Sequence, residues 1–280
     1  MKNKPLISII TVSYNAVNTI EETILSVTNQ TYSNIEYIII DGGSTDGTID
    51  IIKKYSDNIS FWISEPDKGI YDAMNKGASI ARGEYIQYLN ASDRIDDKHT
   101  ISNIIKEIST KSSDIYYGDI IIEKKFGIYH FRPDSLDKFK NSFPIYHPST
   151  WIKREILLHE KFDTNFKIAA DFNLFRTLYY KNRSFIYIPI IFTKFEGYNG
   201  ISSTATFKNW LECQIITQNN NGKYWNIKKH IFYIKDKLRM LLYKIINLYD
   251  SNFTDRQEHS LFIKDNRIVK IIKDKYSNIN

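Results

Sequence analysis

Short apolar runs alternate with helically spaced ones through the first hundred residues. This alternation restricts the fold more than any other feature. Residues 6–13 form an apolar run rich in β-branched side chains, which reads as a buried strand. Residues 18–29 follow with Ile20, Ile24 and Val27 at helical spacing, and Asn18 with Glu21 three residues later marks a helix start. Strands are expected again at 35–40, 59–64 and 85–89. Between them lie a helix carrying Ile51, Ile52 and Tyr55 and a second helix at 70–81. Strands alternating with helices imply βαβ units and a mainly parallel sheet. Ligands of such sheets bind beyond the carboxyl ends of the strands. The polar runs 41–47 and 90–93 should therefore share one rim and face one crevice.

Beyond residue 97 the pattern changes. Residues 115–122 and 126–131 read as two strands joined by a polar turn. Residues 169–181 read as a helix with Phe172, Phe175 and Leu178 at spacing three, and 185–192 as another strand. From Thr206 the chain reads as helix and turns basic. The expected division is a main α/β domain at 1–205, with halves 1–97 and 98–205, and a basic helical extension at 206–280.

Length and composition agree with this plan. The 280 residues, 42% hydrophobic and 25% charged, suit one large domain with an appendage. A net charge of +6 is compatible with nucleic acid, an anionic membrane surface or phosphate-bearing substrates. The single cysteine, Cys213, has no partner for an internal disulfide or a thiolate metal site and fits a reducing compartment. The first apolar run is short for a cleaved leader, and no stretch approaches the ~18 uncharged apolar residues of a membrane span. A cytoplasmic protein is expected, peripheral at most on the inner face of the cytoplasmic membrane.

Three polar loops carry the chemistry. Asp41 ends an isoleucine run and precedes two glycines, so its carboxylate can accept a hydrogen bond from a base or ribose; an ordinary βα turn would look the same. Asp67 and Lys68 project from the loop after the third strand, where Lys68 suits a phosphate as a point charge or simply a solvated turn. Asp93 closes the run 90–93, where a carboxylate holds a divalent cation between phosphates or caps the next helix.

Taken in order, ISIITVSYN at 7–15, DGGSTDGT at 41–48, DKGIYDAMNKG at 67–77 and ARGEY at 81–85 leading into LNASD at 89–93 resemble glycosyltransferase family 2. The resemblance is strong over residues 5–100 and looser to about 205. It implies an α/β GT-A fold: a Rossmann-like, mixed but mainly parallel sheet flanked by helices, here with a C-terminal helical extension. It implies that Thr11, Tyr14, Asn15 and Asp41 hold the nucleoside, and that Asp67, Lys68 and Asn75 line the donor pocket. It further implies that Asp93, assisted by Asn90 or Ser92, holds a divalent metal (Mn²⁺ or Mg²⁺) on the diphosphate. The run NASD departs from the family's acidic pair, which bears on metal affinity. IAADFNLF at 168–175 resembles the family's helix start bearing the general base, so Asp171 is the expected catalytic base; a carboxylate placed there only for the helix dipole is the alternative. YHPSTW at 146–151 resembles a segment whose His meets metal, diphosphate or acceptor, making His147 a second metal candidate. The run 197–203 resembles a donor-covering lid. Trp151 and Trp210 suit either an acceptor sugar or a core.

The implied enzyme is an inverting hexosyl- or N-acetylhexosaminyltransferase. Its donor is a nucleoside-diphosphate sugar, UDP by family habit with GDP and dTDP as alternatives. Its acceptor is a hydroxyl of a saccharide or lipid-linked saccharide in surface polysaccharide assembly (capsule, O-antigen or exopolysaccharide). A catalytically impaired relative that only binds sugar nucleotide is the alternative. No GxGxxG follows the first strand, which argues against a dinucleotide enzyme, and the acidic rim argues against a nucleic-acid partner. In the extension, Lys223, Lys228, Lys229, Lys235, Lys237, Arg239 and Lys244 interleave with apolar residues. That basic amphipathic pattern suits an anionic membrane; packing on the domain or a homodimer would use the same face.

Overall fold

The expected alternation is present in the computed structural model, which describes residues 4–109, 111–124, 127–197, 206–218 and 225–250. Strands β1 (Ile7–Ser13), β2 (Ile35–Asp41), β3 (Phe61–Ser64) and β4 (Tyr85–Asn90) lie parallel in the order β3-β2-β1-β4. Helices α1 (Ile20–Thr28), α2 (Thr48–Lys54) and α3 (Ile70–Ile80) connect them. Every residue of β1 is buried, which is why it shows no polar alternation: both faces of the sheet are covered. On one face Ile7, Ile9 and Ile39 meet α1, α2 and α4 (Thr100–Ile108). On the other, Ile10, Val12, Ile38 and Ile40 meet α3, α5 (Arg154–His159) and α6 (Ala170–Tyr180).

The second half extends the same sheet. Strand β8 (Thr150–Lys153) runs antiparallel to β4 and joins it to β6 (Ile115–Lys124). Strand β9 (Phe185–Glu196) pairs parallel to β6, and β5 (Arg94–Ile95) and β7 (Gly127–Phe131) add antiparallel edges on β9 and β6. The mixed, mainly parallel sheet of the expectation is thus observed. Strands β5 and β8 and helix α5 were not anticipated; α4 is the helix expected after the 90–93 run, with His99 rather than Asp93 at its cap position. The two strands span two and four residues, too short to display a period. The start of α1 also differs. The N–H groups of Thr19 and Ile20 both bond the Ala16 carbonyl, so Asn18 lies within the entering turn, and Thr19 occupies the cap position with its hydroxyl turned back to the Ala16 carbonyl rather than capping the helix.

Two further helices, α7 (Thr206–Ile216) and α8 (Trp225–Asp250), follow the sheet. Trp210 stacks on Phe232 at 4.5 Å and on Trp225 at 5.4 Å, which fastens α7 to α8. Trp151 is fully buried and donates its indole N–H to Gln87. Both tryptophans are therefore packing residues. Among the described residues no helix is long and apolar enough to cross a membrane. Lys223 and residues 251–280 of the expected extension, and 198–203 of the expected lid, lie outside the described residues.

Candidate active site

Strand register builds the floor of the crevice. Ser13, Asp41 and Ser64 stand abreast at the carboxyl ends of β1, β2 and β3. The Asp41 carboxylate therefore collects five hydrogen bonds. They come from the hydroxyls of Ser13 (2.8 Å), Ser44 (2.6 Å) and Ser64 (2.7 Å) and the N–H groups of Gly43 (3.1 Å) and Ser44 (2.8 Å). Burial pushes its pKa up, but the Ser44 hydroxyl and N–H, then Ser64 and Ser13, outweigh burial and hold it below the usual carboxylate value. Asp41 is fully buried, with both oxygens engaged by the loops it holds together. Two other expected donor contacts are likewise engaged within the protein. Thr11 is fully buried with its hydroxyl 3.1 Å from that of Tyr37, because it alternates onto the inner face shared with Ile7 and Ile9. The amide of Asn75 is spent on both backbone groups of Phe162, at 2.9 and 3.0 Å, and so pins the segment ahead of α6.

The remaining donor candidates do gather on the rim. Tyr14 is 67% exposed. Asn15 takes a left-handed φ of 47° and bridges two loops: its N–H donates to the Ser44 hydroxyl and its side-chain oxygen accepts from the Thr45 N–H. Asp67 lies over Gly42, where a Cβ would stand 2.6 Å from its Oδ2 and 3.4 Å from Tyr14. A side chain at position 42 would displace the Asp67 carboxylate from this place between the loops after β1, β2 and β3. Lys68 is exposed beside them, and Ser92 is half-buried at the end of β4.

A chain of contacts then crosses from β4 to α6. The Asn90 N–H faces Asp93 Oδ2 at 3.3 Å, and the Asn90 side-chain amide meets His147 Nε2 at 3.4 Å. His147 Nδ1 lies 2.8 Å from Asp171 Oδ2. Asp171 Oδ1 accepts the Phe172 N–H at 2.8 Å and lies 3.1 Å from the Tyr71 hydroxyl, which also reaches the Ile168 carbonyl at 2.6 Å. Asp171 thus sits in the first turn of α6 with both oxygens oriented. The sequence reading missed Tyr71 and the His147–Asp171 pairing. Tyr71 lies inside the quoted DKGIYDAMNKG run, but nothing in the run distinguishes it from a core aromatic. Burial raises the Tyr71 pKa well above its ordinary value, with the Asp171 charge acting in the same direction.

Asp93 is fully buried, and its Oδ1 and the Oδ1 of Asn90 have no hydrogen-bond partner. Burial pushes the Asp93 pKa up to about 7 against the pull of His147 and the N–H groups of Asn90 and Glu196. Two orphaned hard oxygens are the ligand class that Mg²⁺ and Mn²⁺ take. Among the described residues no group of three or more His, Cys, Asp or Glu side chains forms a metal cluster. The residues present fit a cation held by one or two protein groups and completed by substrate oxygens. In His147, a carboxylate on Nδ1 leaves Nε2 facing the Asn90 and Asp93 side, the orientation second-sphere carboxylates give metal-ligating imidazoles.

Known proteins share this architecture. The chain resembles S. aureus TarS 1-349 in complex with UDP-GlcNAc with a TM-score of 0.62 and 18% identity over 80% of this chain and 69% of that one. Against the longer TarS chain it spans 41% of the length. It resembles mannosyltransferase PcManGT from Pyrobaculum calidifontis in complex with GDP-Man and Mn²⁺ with a TM-score of 0.60 and 19% identity, over 79% of this chain and 66% of that one. At such identities the likeness carries the fold, which is GT-A. In sequence it is 26% identical over 218 residues to a PGL/p-HBAD biosynthesis glycosyltransferase of Mycobacterium bovis, covering 74% of this chain and 83% of the relative. It is 31% identical over 179 residues to an uncharacterized glycosyltransferase of Mycobacterium tuberculosis, covering 61% and 68%. The model of glycosyl transferase family 2 matches residues 8–177, and the chain belongs to that family of glycosyltransferases.

Proposed function

We propose that this glycosyltransferase transfers a hexosyl or N-acetylhexosaminyl group from a nucleoside-diphosphate sugar, with inversion, to a hydroxyl of a saccharide or lipid-linked saccharide in surface polysaccharide assembly. UDP is the favoured nucleotide. The observation that carries the reading is Asp171, oriented at both oxygens, with Oδ2 against Nδ1 of His147 and Oδ1 accepting the Phe172 N–H. In the proposed reaction Asp171 takes the proton of the acceptor hydroxyl. The acceptor oxygen attacks the anomeric carbon on the face opposite the diphosphate, the bond to the diphosphate breaks, and the nucleoside diphosphate leaves. Tyr14, Asn15, Asp67 and Lys68 bind the donor, with Ser92 at the diphosphate end. A divalent cation held by Asp93, with Asn90 or His147 beside it, supplies charge neutralisation of the diphosphate when bound.

We also read residues 1–205 as the catalytic unit, with halves meeting at 97/98, and 206–280 as an extension that contacts an anionic membrane from the cytoplasmic side. The partner set is then the donor, the acceptor and lipid, without nucleic acid. Thermal unfolding with UDP, GDP, dTDP and NAD, each with and without Mn²⁺, tests the donor site, since a ligand of the native state raises the midpoint. A nucleoside-diphosphate shift that needs Mn²⁺ and vanishes in Asp93→Ala is expected; a shift with NAD alone refutes the reading. Asp171→Asn should abolish turnover and leave that shift intact. Unchanged turnover in Asp171→Asn would remove the base from Asp171. An impaired relative would bind donor without turnover in the wild type.

A further inference from the structure

Helix α7 reaches back to the segment that carries the base. Glu212 Oε1 accepts the N–H of Lys167 at 2.9 Å, and Oε2 accepts those of Ile168 and Ala169, each at 2.9 Å. These three successive amides lead directly into α6, whose cap position is Ala169 and carries no side-chain cap. Amides ahead of a helix have no partner within it and need an external acceptor. A carboxylate is the strongest acceptor available, and its bonds to N–H groups are charge-assisted. The clamp also fixes the carbonyl of Ile168, which receives the Tyr71 hydroxyl that faces Asp171. The thiol pKa of Cys213, the next residue of α7, is pushed up to about 12 by burial and then by the charges of Asp171 and Glu212.

We propose that Glu212 is a positioning residue for the transfer reaction: from outside the catalytic unit it holds the backbone at 167–169 and thereby sets the location of Asp171. The inference rests on the reading of Asp171 as base. A displacement of a reacting group by about 1 Å costs on the order of a hundredfold in rate. Loss of a clamp two residues from the base should therefore appear in kcat and leave donor binding, built on the opposite loops of the crevice, unchanged.

The test uses the full chain. Glu212→Ala, Glu212→Gln, Phe232→Ala and Asp171→Asn are compared with wild type for folding, for Kd of UDP with Mn²⁺, and for kcat and KM. Turnover is followed as nucleoside diphosphate released from UDP-glucose, UDP-N-acetylglucosamine or GDP-mannose in the presence of an alkyl glycoside acceptor. Backbone exchange of 167–172 is followed by deuterium uptake. Glu212→Ala should lower kcat roughly 10- to 100-fold, speed exchange at 167–172 and leave Kd at the wild-type value. Glu212→Gln keeps one acceptor oxygen for the pair 168/169 and should fall between. Phe232→Ala loosens the α7–α8 stack without touching 167–169 and should keep wild-type kcat. Wild-type kcat or unchanged exchange in folded Glu212→Ala, with Asp171→Asn inactive, overturns the proposal and leaves the base in place. Should Glu212→Ala not fold, wild-type kcat in Glu212→Gln overturns it. Full turnover in Asp171→Asn removes the base reading and this proposal together.

Discussion

At the scale of single residues, Asp41 shows how one carboxylate organises three loops. Its five donors leave little capacity for a ligand, so its contribution is to stability and shape. Asp41→Asn would turn an NH₂ group toward donors and break the pattern. The expected loss is about 2–3 kcal/mol, read from urea unfolding at pH 7. Because the folded-state pKa of Asp41 is depressed, its contribution is present above the unfolded value near 3.9 and fades as pH falls through the lower folded value. The stability gap between wild type and Asp41→Asn should hold at pH 7 and narrow below about pH 4. A gap that stays constant to pH 3 would mean that shape, not charge, sets the effect. Asp41, Asp93 and Asp171 were all legible in the sequence, because each sits at a strand or helix terminus within an ordered motif. What each carboxylate touches was not legible. The serines around Asp41 come from the ends of β1 and β3 and from the loop after β2, and strand register brings Ser13 and Ser64 beside Asp41. The His147–Asp171 pair joins residues 24 apart across a turn and a helix, a separation that no local pattern encodes.

At the scale of elements, the parallel half was legible since its strands are buried on both faces and read as apolar runs. The antiparallel half was less so. Its key strand β8 is four residues long and is defined by pairing with β4 and β6 rather than by its own pattern. Packing of α3 on the sheet depends on a feature the sequence shows only as one glycine in a helix. A Cβ at Gly77 would stand 2.5 Å from Cγ2 of fully buried Ile10. Two effects oppose one another at this position. Alanine improves helix propensity by about 1 kcal/mol, whereas overpacking a closed core costs about 1–3 kcal/mol. The Ile10 side chain has no open space to enter, so the second effect should win. Gly77→Ala is expected to be destabilised by up to about 2 kcal/mol net, seen as a lower midpoint in chemical denaturation at unchanged slope. A neutral or stabilised variant would show that α3 can lift from the sheet.

At the scale of the whole molecule, the question is what covers the outer face of α8. Ile227, Ile231, Ile234, Leu238 and Leu241 recur at spacings of four and three, so they form one stripe, and all are about half exposed. The opposite face is already used, since Trp225 and Phe232 stack on Trp210 of α7. Two partners suit an apolar stripe of this kind: a second copy, or a membrane. Charge separates them. Exposed Lys228 and Lys235 flank the stripe on one side and exposed Lys237 on the other, its ammonium resting 5.5 Å from the Tyr233 ring. Paired with itself, such a helix would set lysines against lysines at the edges of the seam. Against anionic lipid the same lysines each contribute about 1 kcal/mol, while the stripe enters the interface. The protein should therefore bind vesicles containing phosphatidylglycerol, release as salt rises, and ignore pure phosphatidylcholine. Ile231→Asp should abolish the binding, and Lys235→Glu with Lys237→Glu should weaken it while leaving donor-induced thermal shifts intact. A concentration-dependent dimer in sedimentation, broken by Ile231→Asp and accompanied by no vesicle binding, would assign the stripe to a second copy instead. Vesicle binding would bear on the acceptor side, because α8 is fastened to α7, and Glu212 of α7 holds the backbone that leads to Asp171. For a lipid-linked acceptor, a membrane-bound α8 would set the side from which the hydroxyl reaches the base.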